Sequence, residues 1–152
     1  MDAKKALNII AGQCSKKEYC SFDVMTKLAR WELAEKDIAA IMEFLVKNRF
    51  VDDLRFAEAY ARDKHRFNRW GKLKIGLMLR QKHIADTIID EALATLPEEQ
   101  SDTICLSLLQ QKNKSLKEDD LYKRKAKLFR FALSRGFDYE TISQCIDQLQ
   151  DD

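Results

Sequence analysis

A repeat of about 50 residues constrains this chain more than any other feature, because a repeated unit of that size decides the architecture before any motif is considered. Leu33, Ile84 and Phe137 mark equivalent points, 51 and 53 residues apart. Nine positions earlier stand Val24, Ile75 and Leu128, and five earlier Leu28, Leu79 and Ala132. Five positions later come Ile38, Ile89 and Ile142, nine later Met42, Leu93 and Ile146, and twelve later Leu45, Leu96 and Leu149. All of these are apolar in a chain that is 45% hydrophobic.

Within each block the spacing is that of a helix. Val24 and Leu28, like Ile75 and Leu79, are i, i+4 pairs, while Ile38, Met42 and Leu45 run i, i+4, i+7, as do Ile142, Ile146 and Leu149. A further apolar-periodic segment precedes each pair: Leu7, Ile10 and Ala11, then Phe56, Ala57, Tyr60 and Ala61, then Ile104, Leu108 and Leu109. The pattern predicts an all-α fold of three tandem three-helix repeats, at 1–50, 51–97 and 98–152, forming one elongated, curved array. Four Gly and one Pro, Pro97, are too few to turn the corners of a strand-rich fold. Asp52 or Asp53, Gly71, Asp119 or Asp120, and Asp138 suit helix starts. Gly136 sits where a helix end wants a left-handed residue, but the equivalent positions hold Glu32 and His83. Those two corners are expected to be built differently. Trp31 is expected in the core.

The residues present exclude several functions. There is no phosphate-cradling or dinucleotide-binding glycine pattern, no H-E-x-x-H and no G-x-S-x-G. His65 and His83 both fall in stretches read as basic helices, without a carboxylate or Cys at ligand spacing. Cys14, Cys20, Cys105 and Cys145 follow no C-x-x-C pattern and read as reduced, buried small hydrophobes. No apolar run reaches the roughly 20 residues of a membrane span, and no signal peptide is visible. The expectation is a cytoplasmic, monomeric, non-catalytic protein with no cofactor, no metal, no membrane and no small-molecule substrate.

Net charge is only +2, but the charge is segregated. From Arg62 to Lys82 there are eight basic residues (Arg62, Lys64, Arg66, Arg69, Lys72, Lys74, Arg80 and Lys82) against one acid, Asp63. From Lys123 to Arg135 there are six (Lys123, Arg124, Lys125, Lys127, Arg130 and Arg135) and no acid. An ordinary surface helix mixes signs at i, i+4, so these runs are candidate partner-binding faces. Arg66, Arg69, Lys72 and Lys74 also surround Phe67 and Trp70, placing cations beside flat aromatic surface. Nucleic acid and an acidic protein groove would both select that mixture. The same two rings would serve equally as packing between repeats. Acids gather elsewhere, at Glu98-Glu99, Glu118-Asp119-Asp120 and Asp151-Asp152.

The segment Phe50-Val51-Asp52-Asp53-Leu54-Arg55-Phe56-Ala57-Glu58-Ala59-Tyr60 resembles the signature of the RecX family of bacterial recombination regulators. The resemblance continues through Gly71-Lys72-Leu73-Lys74-Ile75, Leu79-Arg80-Gln81-Lys82-His83-Ile84, and Lys127-Leu128-Phe129-Arg130-Phe131-Ala132-Leu133-Ser134-Arg135-Gly136-Phe137. Where the family has Lys-Gly followed by Ile or Val, this chain has Lys82-His83-Ile84. The resemblance implies a regulator of the RecA recombinase, in DNA repair, homologous recombination and the SOS response. Such proteins bind the RecA–single-stranded-DNA filament along its groove and hinder its growth, ATP hydrolysis, strand exchange and co-protease activity. Direct contact with single-stranded DNA is left open. A helix-turn-helix-like DNA-binding module acting without RecA, and a protein-only scaffold, are the alternatives the residues allow.

Overall fold

The computed structural model describes residues 1–150, so the acidic pair Asp151-Asp152 lies outside the described residues. Among these the chain forms α-helices and no strand: α1 (Ala3–Lys16), α2 (Ser21–Arg30), α3 (Glu35–Lys47), α4 (Asp53–Arg66), α5 (Lys72–Gln81), α6 (Asp86–Ala94), α7 (Glu98–Ser115), α8 (Leu121–Ser134) and α9 (Tyr139–Gln150). Close helix packing falls within successive triplets: α1 and α2 on α3, then α4, α5 and α6 on one another, then α7, α8 and α9. The fold is all-α, built from tandem helical domains.

The periodic residues explain why. Every one of the repeat positions lies in, or packs against, one of three separate hydrophobic cores. The upstream segments supply the remaining side of each, through Ile10, through Phe56, Ala57 and Ala61, and through Leu109. Trp31 is partly buried against the first core, as its position suggested. Burying one Leu-sized side chain contributes about 1.5–3 kcal/mol. A unit of this size is marginal by itself, so the junctions between units carry weight. Two residues cross the sequence boundaries: Cys20 packs in the second core and Val51 in the first.

Local chemistry sets the helix starts. Asp52 caps α4 by accepting from Arg55 N at 3.0 Å, Asp120 caps α8 by accepting from Lys123 N at 2.9 Å, and Asp138 accepts from Thr141 N at 2.8 Å at the start of α9. Gly71 opens α5. The corners after α2, α5 and α8, however, are built alike: φ is 56° at Glu32, 58° at His83 and 95° at Gly136. The expectation that Glu32 and His83 would turn differently is corrected. The repeat imposes the left-handed residue, and two of the three corners accept a side chain there at a cost of about 1 kcal/mol. His83 therefore belongs to a corner, not to a basic helix.

Candidate binding site at the second junction

Three equivalent positions organise the contacts between units. Cys20, Gly71 and Arg124 each stand just before, or in the first turn of, the middle helix of their unit, at the repeat spacing of 51 and 53 residues. Cys20 is buried in the core of the next unit. Gly71 is buried against the corner of the next unit: its N–H donates to Arg135 O at 2.7 Å, and Leu73 N–H donates to Gly136 O at 3.0 Å. The open N–H groups of α5 thus meet the open carbonyls at the end of α8, satisfying both helix ends at once. A Cβ on Gly71 would stand 2.3 Å from Gly136 O, and one on Gly136 would stand 2.4 Å from the Lys74 Cβ. Only two glycines permit this approach.

Arg124 holds the equivalent position in the third unit. Its guanidinium turns back on the α7–α8 connection, donating to Asn113 Oδ1 at 2.8 Å, to Leu116 O at 3.0 Å, to Glu118 O at 2.8 Å and to Asn113 O. It closes the carbonyls of that connection, and each of its three nitrogens donates within the unit. Lys127 pairs with Glu118 at 3.0 Å, and that contact holds the Glu118 carboxyl below the usual carboxylate range. Lys82 pairs with Asp23 across the first junction at 3.1 Å, and Arg80 pairs with Asp86 at 3.2 Å. These four of the sequence-derived candidates are engaged inside the molecule.

The remaining cations divide by place. Lys64 and Lys74 lie 5.0 and 4.6 Å from the Trp70 ring centre, with Lys64 also 5.5 Å from Tyr60. Directly across the Gly71–Gly136 contact, Arg135 and Lys112 lie 5.0 and 5.2 Å from the Phe131 ring. Arg69 donates to Gln111 Oε1 at 3.3 Å, tying the two halves together. Among the described residues none of Lys64, Lys74, Lys112 and Arg135 forms an ion pair. The Nε of Arg135 is buried with no hydrogen-bond partner. The fold therefore brings together parts of both basic runs. Arg66 lies over the exposed ring of Phe67, and Arg62 and Arg130 are exposed on α4 and α8. Lys72 lines a different feature, a cavity of about 420 Å³ rimmed by Glu98, Asp102, Asp138 and Glu140. Lys125 lines a groove with Tyr122, Phe129 and Tyr139, and Lys123 is exposed at the start of α8.

Three participants escape a reading of charge runs. Lys112 shares a mixed helix with Lys114, outside both basic runs, and Phe131 looks like any core aromatic in the sequence. His65 is fully buried: its Nδ1–H donates to Trp70 O at 2.9 Å, which leaves Nε2 to accept from the Ser101 hydroxyl at 3.1 Å. It positions Trp70 and anchors α4 to α7. No group of three or more His, Cys, Asp or Glu among the described residues is placed to hold a metal ion. Among the described residues no helix is long and apolar enough to cross a membrane.

What the arrangement offers is an unneutralised pair of cation–aromatic clusters held in register by a backbone contact. Comparison with known proteins agrees with an all-α fold of tandem helical domains. Residues 52–93 match the description "RecX, second three-helix domain", and residues 98–146 match "RecX, third three-helix domain". The chain is 36% identical over 148 residues to the regulatory protein RecX of Chlorobium phaeobacteroides (strain BS1), covering 97% of this chain and 95% of that one. It is 35% identical over 148 residues to the regulatory protein RecX of Prosthecochloris aestuarii (strain DSM 271 / SK 413), with the same coverage. The crystal structure of RecX from Lactobacillus salivarius superposes with a TM-score of 0.89 at 24% identity, over 97% of this chain and 96% of that one.

Proposed function

The chain belongs to the RecX family, and from that premise we propose that it is a negative modulator of RecA, binding the groove of the RecA–single-stranded-DNA filament. In this reading it acts sterically: units at 1–50, 51–97 and 98–152 lie across neighbouring RecA subunits. Their presence hinders filament extension, ATP hydrolysis, strand exchange and co-protease activity. The second-junction clusters, Lys64 and Lys74 about Trp70 with Lys112 and Arg135 about Phe131, supply the attraction.

One observation supports that placement above the rest. Asp23 and Lys82 form an ion pair at the first junction, and the residues at the equivalent positions of the second junction are Lys74 and Arg135. The same site in the repeat is neutralised within the molecule at one junction and doubly positive at the next. Two cations without an internal counter-charge at a packed junction favour an anionic partner. Phosphates and acidic side chains lining a filament groove have that character, and the attraction should weaken with salt.

The test is the rate of RecA ATP hydrolysis on single-stranded DNA, with this protein titrated in at moderate and at high salt. Suppression at substoichiometric amounts, relieved by salt, is expected. The variant Lys64→Glu, Lys74→Glu, Lys112→Glu should lose suppression while keeping its helical circular dichroism. Arg80→Glu, which alters a cation already paired on the surface, should retain it. Undiminished suppression by the triple variant would overturn the assignment of this surface. Tight binding to DNA with no effect on hydrolysis would favour a DNA-binding module acting without RecA.

A further inference from the structure

The third core contains a feature that filament binding does not use. Helices α7 and α9 pack on one another, and small side chains line such a crossing. In the second unit those side chains are alanines, Ala57, Ala61 and Ala92. In the third unit the position equivalent to Ala92 is Cys145, and Cys105 faces it from α7. Cys145 Sγ lies 3.6 Å from the Asp102 carbonyl oxygen, one turn before Cys105. Side chains on a helix lean toward its N-terminus, so the Cys105 sulfur overhangs that same turn. Both thiols are free and buried in the same core, with the Cys145 thiol directed at the turn that carries Cys105. Above Cys145 is a cavity of about 200 Å³, lined by Asp102, Thr103, Leu106, Gln144 and Gln148 as well as Cys145 itself. It is polar and has room for several water-sized molecules.

We propose that Cys105 and Cys145 are a peroxide-oxidised dithiol pair, in which hydrogen peroxide entering this cavity oxidises Cys145 and Cys105 then closes a disulfide between α7 and α9. In the first step the Cys145 sulfur takes one peroxide oxygen as the O–O bond breaks. A sulfenic acid forms, and the other oxygen leaves as water with the thiol proton. In the second, the Cys105 sulfur attacks the sulfenic sulfur, an S–S bond forms, and the hydroxyl leaves with the Cys105 proton as water. Two thiols are oxidised and one peroxide is reduced to two waters. The order of attack follows from access, since the cavity reaches Cys145 and Cys105 lies behind it.

The other cysteines are placed for neither step. Cys14 lies in the first core and Cys20 in the second, so they have no thiol partner, and burial pushes Cys20 up to about 11. By contrast, the neighbouring Cys105 thiol holds Cys145 below the usual thiol value. A thiolate is the attacking form, so the contrast favours Cys145.

The test treats the full reduced chain with hydrogen peroxide under native conditions, blocks remaining thiols with N-ethylmaleimide, and maps peptides by mass. Loss of two hydrogens, a Cys105–Cys145 linked peptide and alkylated Cys14 and Cys20 are expected. Cys105→Ser should accumulate a dimedone-trappable sulfenic acid at Cys145. Alkylation of all four cysteines after treatment would overturn the proposal. So would a linkage involving Cys14 or Cys20, or over-oxidation of Cys145 in the native chain without the linked peptide. The wild-type map decides the matter even if a variant folds poorly, and it is independent of any effect on RecA.

Discussion

At the corner the first junction is made by side chains and the second by backbone, although the repeat sets the same positions against each other at both. At the first, Arg55 donates to Glu18 at 2.6 Å, Lys82 pairs with Asp23, and the Asp53 carboxylate accepts from Ser21 N at 2.8 Å. The Phe22 ring packs on His83 at 4.4 Å. At the second, the equivalents of Phe22 and His83 are Leu73 and Gly136, and they meet through N–H and carbonyl. A side chain at the corner holds the units apart and must itself make the contact. A glycine lets the backbones touch and releases the neighbouring side chains for another task. Lys74 and Arg135 are the side chains released.

The largest effect that would break this comparison is at Gly71. In Gly71→Val the new Cβ and its methyls meet backbone at Gly136, which has no flexible end to move aside. Two inter-unit hydrogen bonds should be lost with the close packing around them, a destabilisation of about 3 kcal/mol. Urea unfolding followed by circular dichroism should then show the third unit melting before the other two. Gly136→Ala adds left-handed strain to the same clash and should behave similarly. A single unchanged transition for both variants would show that the backbone contact contributes little.

At the first junction the sensitive change is one of charge. Asp23→Lys places two cations together where an ion pair stands, with both partners about a quarter to a third exposed. A loss of about 1 kcal/mol is expected, and it should shrink in high salt. Combining it with Lys82→Asp restores opposite charges and should recover most of that loss. Failure of the double variant to recover would mean that Phe22 and His83, not the ion pair, hold this junction.

Why the cores were legible and the site was not is a matter of periodicity. Val24, Ile75 and Leu128 announce themselves because burial demands an apolar side chain at every turn, and the demand recurs in each unit. The basic runs were visible for the same reason, as a departure from the usual mixture of signs. Which cations are spent internally was not visible, since Arg124 and Lys82 differ from Lys64 and Lys74 only in what the fold places beside them. Lys112 joins the site from a helix whose sequence gives no sign of it. Gly71 and Gly136 were legible as a helix start and a corner, but their meeting depends on a contact across 65 residues.

The smallest and sharpest change makes the second junction resemble the first. Lys74→Asp places a carboxylate where Asp23 stands in the repeat, opposite Arg135 where Lys82 stands. If those two cations merely tolerate each other, the substitution relieves a repulsion and forms an ion pair, raising stability by about 0.5 kcal/mol. It also removes a cation from beside Trp70, and suppression of RecA ATP hydrolysis should weaken at the same time, most clearly at low salt. Opposite signs in the two measurements are the point of the experiment, because a variant that binds less well through damage to the fold cannot also be more stable. Lower stability together with lower suppression would mean that Lys74 serves packing at the junction. Higher stability with suppression intact would move the attraction to Lys112 and Arg135 on the other side of the glycine contact.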